Sequence, residues 1–173
     1  MRLLLKSLLL LILCNWSFMV WAQQKTSGLL EVSGKVILKS NFSDQLLRSP
    51  RLVVYPKDTP KELIYDEKQK SASFKLNLNS GIYVVKASCK GYHPKSIEIN
   101  TTLIGKKPYD IHSLEYTISL IPIIDKQLIG NKLFEQAITR IVYDIETDAF
   151  INDTIYTKDA SHKVDSLLNS SQP

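Results

Sequence analysis

Residues 73–100, SFKLNLNSGIYVVKASCKGYHPKSIEIN, constrain the fold more than any other stretch of the chain. Phe74, Leu76 and Leu78 alternate with Ser73, Lys75 and Asn77. A period of two puts the three apolar side chains on one face of a sheet. Asn79, Ser80 and Gly81 then supply turn chemistry, because Asn and Gly tolerate positive φ. Tyr83, Val85 and Ala87 make the next inward row, Gly91 marks a second turn, and Ile97 and Ile99 restart the alternation. Three short strands with sharp turns between them point to an all-β chain.

The flanks extend this pattern. Val32, Gly34, Val36 and Leu38 alternate with Ser33, Lys35 and Ile37 as a first strand, and residues 41–50 read as a loop. Leu52, Val53, Val54 and Tyr55 are nearly all apolar, which places that strand centrally, and Pro56 stops it. Leu63, Ile64 and Tyr65 make a short edge strand. Residues 101–112 form a longer loop, after which Leu114, Tyr116, Ile118 and Leu120 alternate cleanly against Glu115, Thr117 and Ser119. Seven short strands at this spacing predict a seven-stranded Greek-key β-sandwich over residues 29–122. The period is lost over the connector, 123–136, which reads as a crossover or a short helix. Residues 137–144 and 150–156 read as two strands of an appended C-terminal hairpin (137–157), turning at Ile145, Glu146, Thr147 and Asp148. Residues 158–173 form a short polar tail, disordered towards its end. Val164, Leu167 and Leu168 in it are spaced as one face of a marginal helix.

The N-terminus reads as a targeting signal. Arg2 and Lys6 flank an apolar run that continues through Trp21, and Ala22 closes a site of the kind a signal peptidase reads. The expectation is a signal peptide over 1–22, then a polar leader over 23–28 and export to the periplasm or an outer-membrane-associated site. Two rivals are a retained anchor and acylation at Cys14, the latter opposed by Leu13, where a lipoprotein peptidase takes a small residue. The formal net charge of +5 is mild, and its Lys and Arg residues are scattered. Nucleic-acid binders cluster their cations and interleave aromatics, so that class is excluded. Of the two cysteines, Cys14 leaves with the signal and Cys89 remains alone, without an internal disulfide.

Several phrases then reach a family. Gly34, Lys35 and Val36, the Leu52 to Tyr55 strand, Phe74, Lys75 and Leu76, and Gly81 followed by Ile82, Tyr83, Val84 and Val85 resemble a carboxypeptidase regulatory-like domain. Gly91 and Tyr92, with Lys95, Ser96, Ile97, Glu98, Ile99, Asn100 and Thr101 after them, are similar to the same family's segment. The version in Bacteroidetes cell-envelope proteins continues much as Tyr116 to Pro122, Ala137 to Asp144 and Asp148 to Thr157 do here. The family's Asp-x-x-Gly turn before the Phe74 strand is absent: Glu67, Lys68, Gln69, Lys70 and Ser71 stand there. The aliphatic-Phe-Pro phrase is Leu120, Ile121 and Pro122. The resemblance implies a transthyretin-like sandwich that serves as a non-catalytic module of the cell envelope, with no cofactor.

Candidate chemistry is sparse. His112 and Glu115 have the His-x-x-Glu spacing of zinc carboxypeptidases, but positions i and i+3 of a strand face opposite sides; with His112 still in the loop they could converge, and the third ligand would then be His162 in the tail. A zinc hydrolase is therefore a remote alternative. Asp144, Glu146 and Asp148 are weak calcium candidates by ligand type. They do not fit an EF-hand loop, whose Gly and Glu positions are Ala149 and Ile155 here. No Gly-x-Ser-x-Gly and no phosphate-binding glycine loop occurs, and the chain reads as no enzyme. Tyr92, His93 and Tyr109 fall in expected loops and could form a contact patch. Asp153, Thr154 and Ile155, and Asp165, Ser166 and Leu167, resemble Bacteroidetes O-glycosylation sites. The partner is expected to be an envelope protein or a glycan. The 137–157 hairpin is where edge-strand pairing would recruit a protein, and a carbohydrate- or calcium-binding module is the alternative.

Overall fold

The structure is a computed structural model that describes residues 30–38, 45–47, 49–103 and 112–170. The expected signal, its cleavage site and Tyr109 lie outside the described residues. The strands are β1 (Leu30–Leu38), β2 (Gln45–Leu46), β3 (Arg51–Pro56), β4 (Tyr65–Lys68), β5 (Ser73–Leu78), β6 (Ile82–Ser88), β7 (Tyr92–His93), β8 (Lys95–Asn100), β9 (His112–Pro122), β10 (Ala137–Asp144) and β11 (Ala149–Asn152). A short helix α1 (Lys132–Glu135) precedes β10, and a long one, α2 (Thr154–Ser170), follows β11.

Two mixed sheets make the sandwich. In the first, β1 has β9 in parallel along one edge, from Leu30 opposite His112 to Leu38 opposite Leu120. Along its other edge β5 pairs with Leu30 to Lys35, and β2 with Ile37 and Leu38. β7 bonds the far end of β9. The second sheet runs β11-β10-β8-β6-β3-β4. The seven strands legible in the sequence are β1, β3, β4, β5, β6, β8 and β9; β2 and β7 are two-residue additions. The edge strand begins at Tyr65, later than expected. Leu63 and Ile64 stay outside it, 51% and 52% exposed.

Period two explains the core. Phe74, Leu76 and Leu78 are buried while Ser73, Lys75 and Asn77 are exposed. Tyr83, Val85 and Ala87 of β6 face them, with Leu52, Val54, Ile97, Ile99, Ile118 and Leu120 completing the apolar layer. Full burial of each such aliphatic side chain contributes about 1.5–3 kcal/mol. The alternation breaks twice. Val36 and Ile37 are both buried, where β1 passes from β5 to β2 and the Val36 N–H bonds the Ala72 carbonyl at 2.8 Å. On β8, Ser96 and Glu98 face away from the core yet are buried, because α1 and the Arg140 side chain cover them. Gly34 has no room for a side chain. A Cβ there would stand 1.9 Å from the Tyr116 carbonyl oxygen and 2.9 Å from the ring of Phe74, its cross-strand partner. Glycine lets strand and ring approach that closely.

The C-terminal third differs from expectation. The hairpin is a part of the second sheet: β10 runs parallel to β8 and carries β11 as the edge. Its second strand stops at Asn152, and Ile155 and Tyr156, expected to finish that strand, lie in α2. Asp153 causes the switch. Its carboxylate accepts from the Tyr156 N–H at 3.0 Å and its carbonyl from the Thr157 N–H at 3.0 Å, which caps a helix. The polar tail is therefore helical to Ser170, and the Val164, Leu167 and Leu168 face is the one it buries. Val164 joins Leu128 of the connector and Phe134 of α1 in a second apolar cluster. Among the described residues no helix is long and apolar enough to cross a membrane.

Candidate functional site

The turn between β6 and β8 is less open than its sequence suggests. Gly91 has φ +88, a left-handed conformation that favours glycine. It lets the Tyr92 N–H return to the Cys89 carbonyl at 3.1 Å and sends the chain into β7. His93 then points inward. It is 3% exposed, stacks on Phe134 with ring centroids 3.9 Å apart, and its Nε2 has no hydrogen-bond partner among the described residues. Burial lowers its pKa below the ordinary histidine value. Tyr92 is half-buried against the main core. The structure thus withdraws His93 from the expected patch of Tyr92, His93 and Tyr109.

The acidic hairpin tip also has a structural occupation. Asp144 accepts from the Glu146 N–H at 3.1 Å and from the Thr147 hydroxyl at 2.8 Å. The Thr147 bond, with the backbone bonds, holds its carboxyl below the usual range. Asp148, with φ 53, accepts from the Tyr143 hydroxyl at 2.5 Å. These bonds fold the four-residue turn. Among the described residues no three His, Cys, Asp or Glu side chains gather as a metal set, so Asp144, Glu146 and Asp148 are not brought together for calcium. His112 packs edge-on against Tyr143 and Phe150, with centroids at 5.4 and 5.8 Å. Glu115, three residues along β9, is exposed. The two do not form a zinc pair.

The polar constellation that the structure does assemble was not singled out from the sequence. Glu98, its side chain 8% exposed, accepts from Arg140 Nε at 2.9 Å and from Lys57 Nζ at 2.9 Å. Arg140 lies directly across from Glu98 on β10. Its guanidinium also sits 3.9 Å from the Asp153 carboxylate and 4.0 Å above the Tyr156 ring. The Tyr156 hydroxyl donates to the Ala137 carbonyl at 2.7 Å. One buried carboxylate thereby ties β8, β10, α2 and the turn after β3 together. A carboxylate with both oxygens occupied by cations is suited to fixing register, because losing either partner leaves a buried charge uncompensated. The signal available in the sequence was Glu98 at a position between two core isoleucines, opposite in phase to them.

Comparison with known proteins yields only distant structural similarity. No family model and no curated protein matches the chain. Among solved structures, one similar chain comes from Bacteroides fragilis and is described as membrane-associated and of unknown function. It has 13% identity and a TM-score of 0.39 over 56% of this chain and 28% of its own. A carbohydrate-binding candidate from Bacteroides uniformis has 13% identity and a TM-score of 0.35 over 55% and 42%. Catechol 1,2-dioxygenase from Pseudomonas arvilla has 7% identity and a TM-score of 0.38 over 61% and 56%. This chain spans little more than half of those chains at most.

Proposed function

We propose that this chain is an exported, non-catalytic β-sandwich module with a structural or protein-interaction role in the bacterial cell envelope, periplasmic or associated with the outer membrane. The observation that carries the interaction part is where its apolar surface lies. Of the seven exposed large apolar side chains among the described residues, five fall in the C-terminal third: Ile124, Ile129, Ile145, Ile151 and Ile155. Ile151 sits on β11, the edge strand, and Ile155, 84% exposed, opens α2 beside it. Single exposed apolar residues are ordinary, but Ile145 in the β10–β11 turn, Ile151 on the edge strand and Ile155 just after it put exposed apolar side chains at an open strand edge, which suits protein docking. Export rests on the N-terminal sequence, and the envelope role on the ordered phrases shared with carboxypeptidase regulatory-like domains.

A photo-crosslinking residue at Ile151 or Ile155 in cells tests this reading. The expected result is a discrete adduct with one envelope protein, identified by mass spectrometry and absent when the probe replaces Lys75 on the other sheet. Recovery of uncrosslinked monomer from both positions would refute the interaction role.

A further inference from the structure

At the opposite edge of the second sheet the strand ends carry an unusual row. Lys68 of β4 stands directly across from Arg51 of β3, and Arg51 directly across from Ser88 of β6. Like charges facing each other on paired strands are destabilising. Asp66 relieves part of this: its carboxylate takes Arg51 Nε at 2.7 Å and Nη2 at 2.6 Å. That pairing leaves the other terminal nitrogen of Arg51 uncommitted to Asp66. Lys90 arrives from the next turn as a further cation, and Ser49, with φ 53, closes the other side. Together Ser49, Arg51, Lys68, Ser88, Cys89 and Lys90 line a cleft of about 460 Å³. Three of these six lining residues are cations and none is an acid; Asp66 pairs with Arg51.

We infer that this cleft binds an anionic saccharide, one carrying a carboxylate, sulfate or phosphate group. An anion set between Lys68, Arg51 and Lys90 would remove the repulsion that the register builds in, with the Arg51 terminal nitrogen not taken by Asp66 and the two lysine ammonium groups as charged donors to its oxygens. A volume of this order exceeds a bare ion and falls in the range of small-ligand pockets. The remaining polar lining is hydroxyl, from Ser49 and Ser88, which matches sugar hydroxyls as donor and acceptor. The stems of the lysines and of Arg51 supply apolar cover for a ring face. An acidic peptide fits less well, because peptide sites rely on pockets for aromatic or aliphatic anchors and none of the lining residues is aromatic or aliphatic. The cleft lies at the β4 edge, the hairpin at the β11 edge, so this inference stands independently of the docking reading.

Calorimetry of the purified protein at low salt tests it, with trigalacturonate as the probe. Saturable binding is expected, weakened at least tenfold by the double substitution Lys68→Gln with Lys90→Gln, and unchanged by Lys75→Gln. The methyl-esterified, neutral trisaccharide should not bind. Inorganic phosphate should bind at least tenfold more weakly than the trisaccharide; equal affinity would overturn the saccharide assignment. Tighter binding of a Glu- and Asp-rich peptide, or binding to phosphatidylglycerol vesicles alone, would overturn it too. So would failure of the trisaccharide to bind, or a double variant that melts like the parent and binds as tightly.

Discussion

His93 shows what one buried residue can do to the pH response. Its ring stacks on Phe134 and its Nε2 has no partner among the described residues, so the folded state disfavours the imidazolium. The folded pKa is lowered from 6.5 by desolvation. Between the two pKa values the unfolded chain therefore binds more protons than the folded one, and stability rises with pH there. The stabilisation is complete above the unfolded pKa of about 6.5 and is lost as pH falls through that value towards the folded one. Thermal melts between pH 7.5 and 5 should show a falling Tm for the parent. His93→Phe keeps the stack and removes the titration, so its Tm should fall less over the same range. Identical slopes would show that His93 does not titrate with unfolding. Glu98 is the contrasting residue: its burial is compensated, by Arg140 and Lys57 at 2.9 Å each, where that of His93 is not.

At the scale of elements, the start of α2 has an identifiable cause in Asp153. Removing the Asp153 cap should cost about 1 kcal/mol, the typical value for an N-cap carboxylate. Asp153→Ala should thus lower the urea midpoint without changing the β-sheet signal, whereas Asp153→Asn should retain most of the stability. An alanine variant as stable as the parent would mean that Val164 packing alone holds the helix. The same element shows where the sequence was legible and where it was not. β5, β6 and β9 bury one face each, so period two located them and their inward rows. Ile155 and Tyr156 have strand propensity, and the competing cap signal of Asp153 decided against it. Burial of Ser96 and Glu98 could not be read locally, because the covering groups, Glu135 and Arg140, come from distant segments. His93 was legible as a turn neighbour but not as interior, since Phe134 arrives from beyond the connector.

For the whole molecule, the position of β10 decides whether the C-terminal third is an attachment or a part of the sandwich. β10 lies between β8 and β11, with Ile141 and Tyr143 in the main core. Ending the chain at Pro122 would unpair one edge of β8, expose Ile97 and Ile99 along it, and strip the second cluster from Ile121. It would also remove Arg140 from Glu98 and leave that buried carboxylate with Lys57 alone. Breaking a buried pair on one side costs several kcal/mol, comparable to much of the stability of a small domain. A chain of residues 23–122 should therefore show no cooperative thermal transition, while residues 23–170 should melt in one step followed identically by near- and far-ultraviolet circular dichroism. A dispersed NMR spectrum from the shorter chain would place the hairpin outside the folding unit. In that case the exposed isoleucines would belong to a detachable arm, and partner capture would be separable from the stability of the sandwich. With β10 inside the sheet, the proposed docking surface at β11 and the cationic cleft at β4 are instead two rims of one continuously hydrogen-bonded sheet.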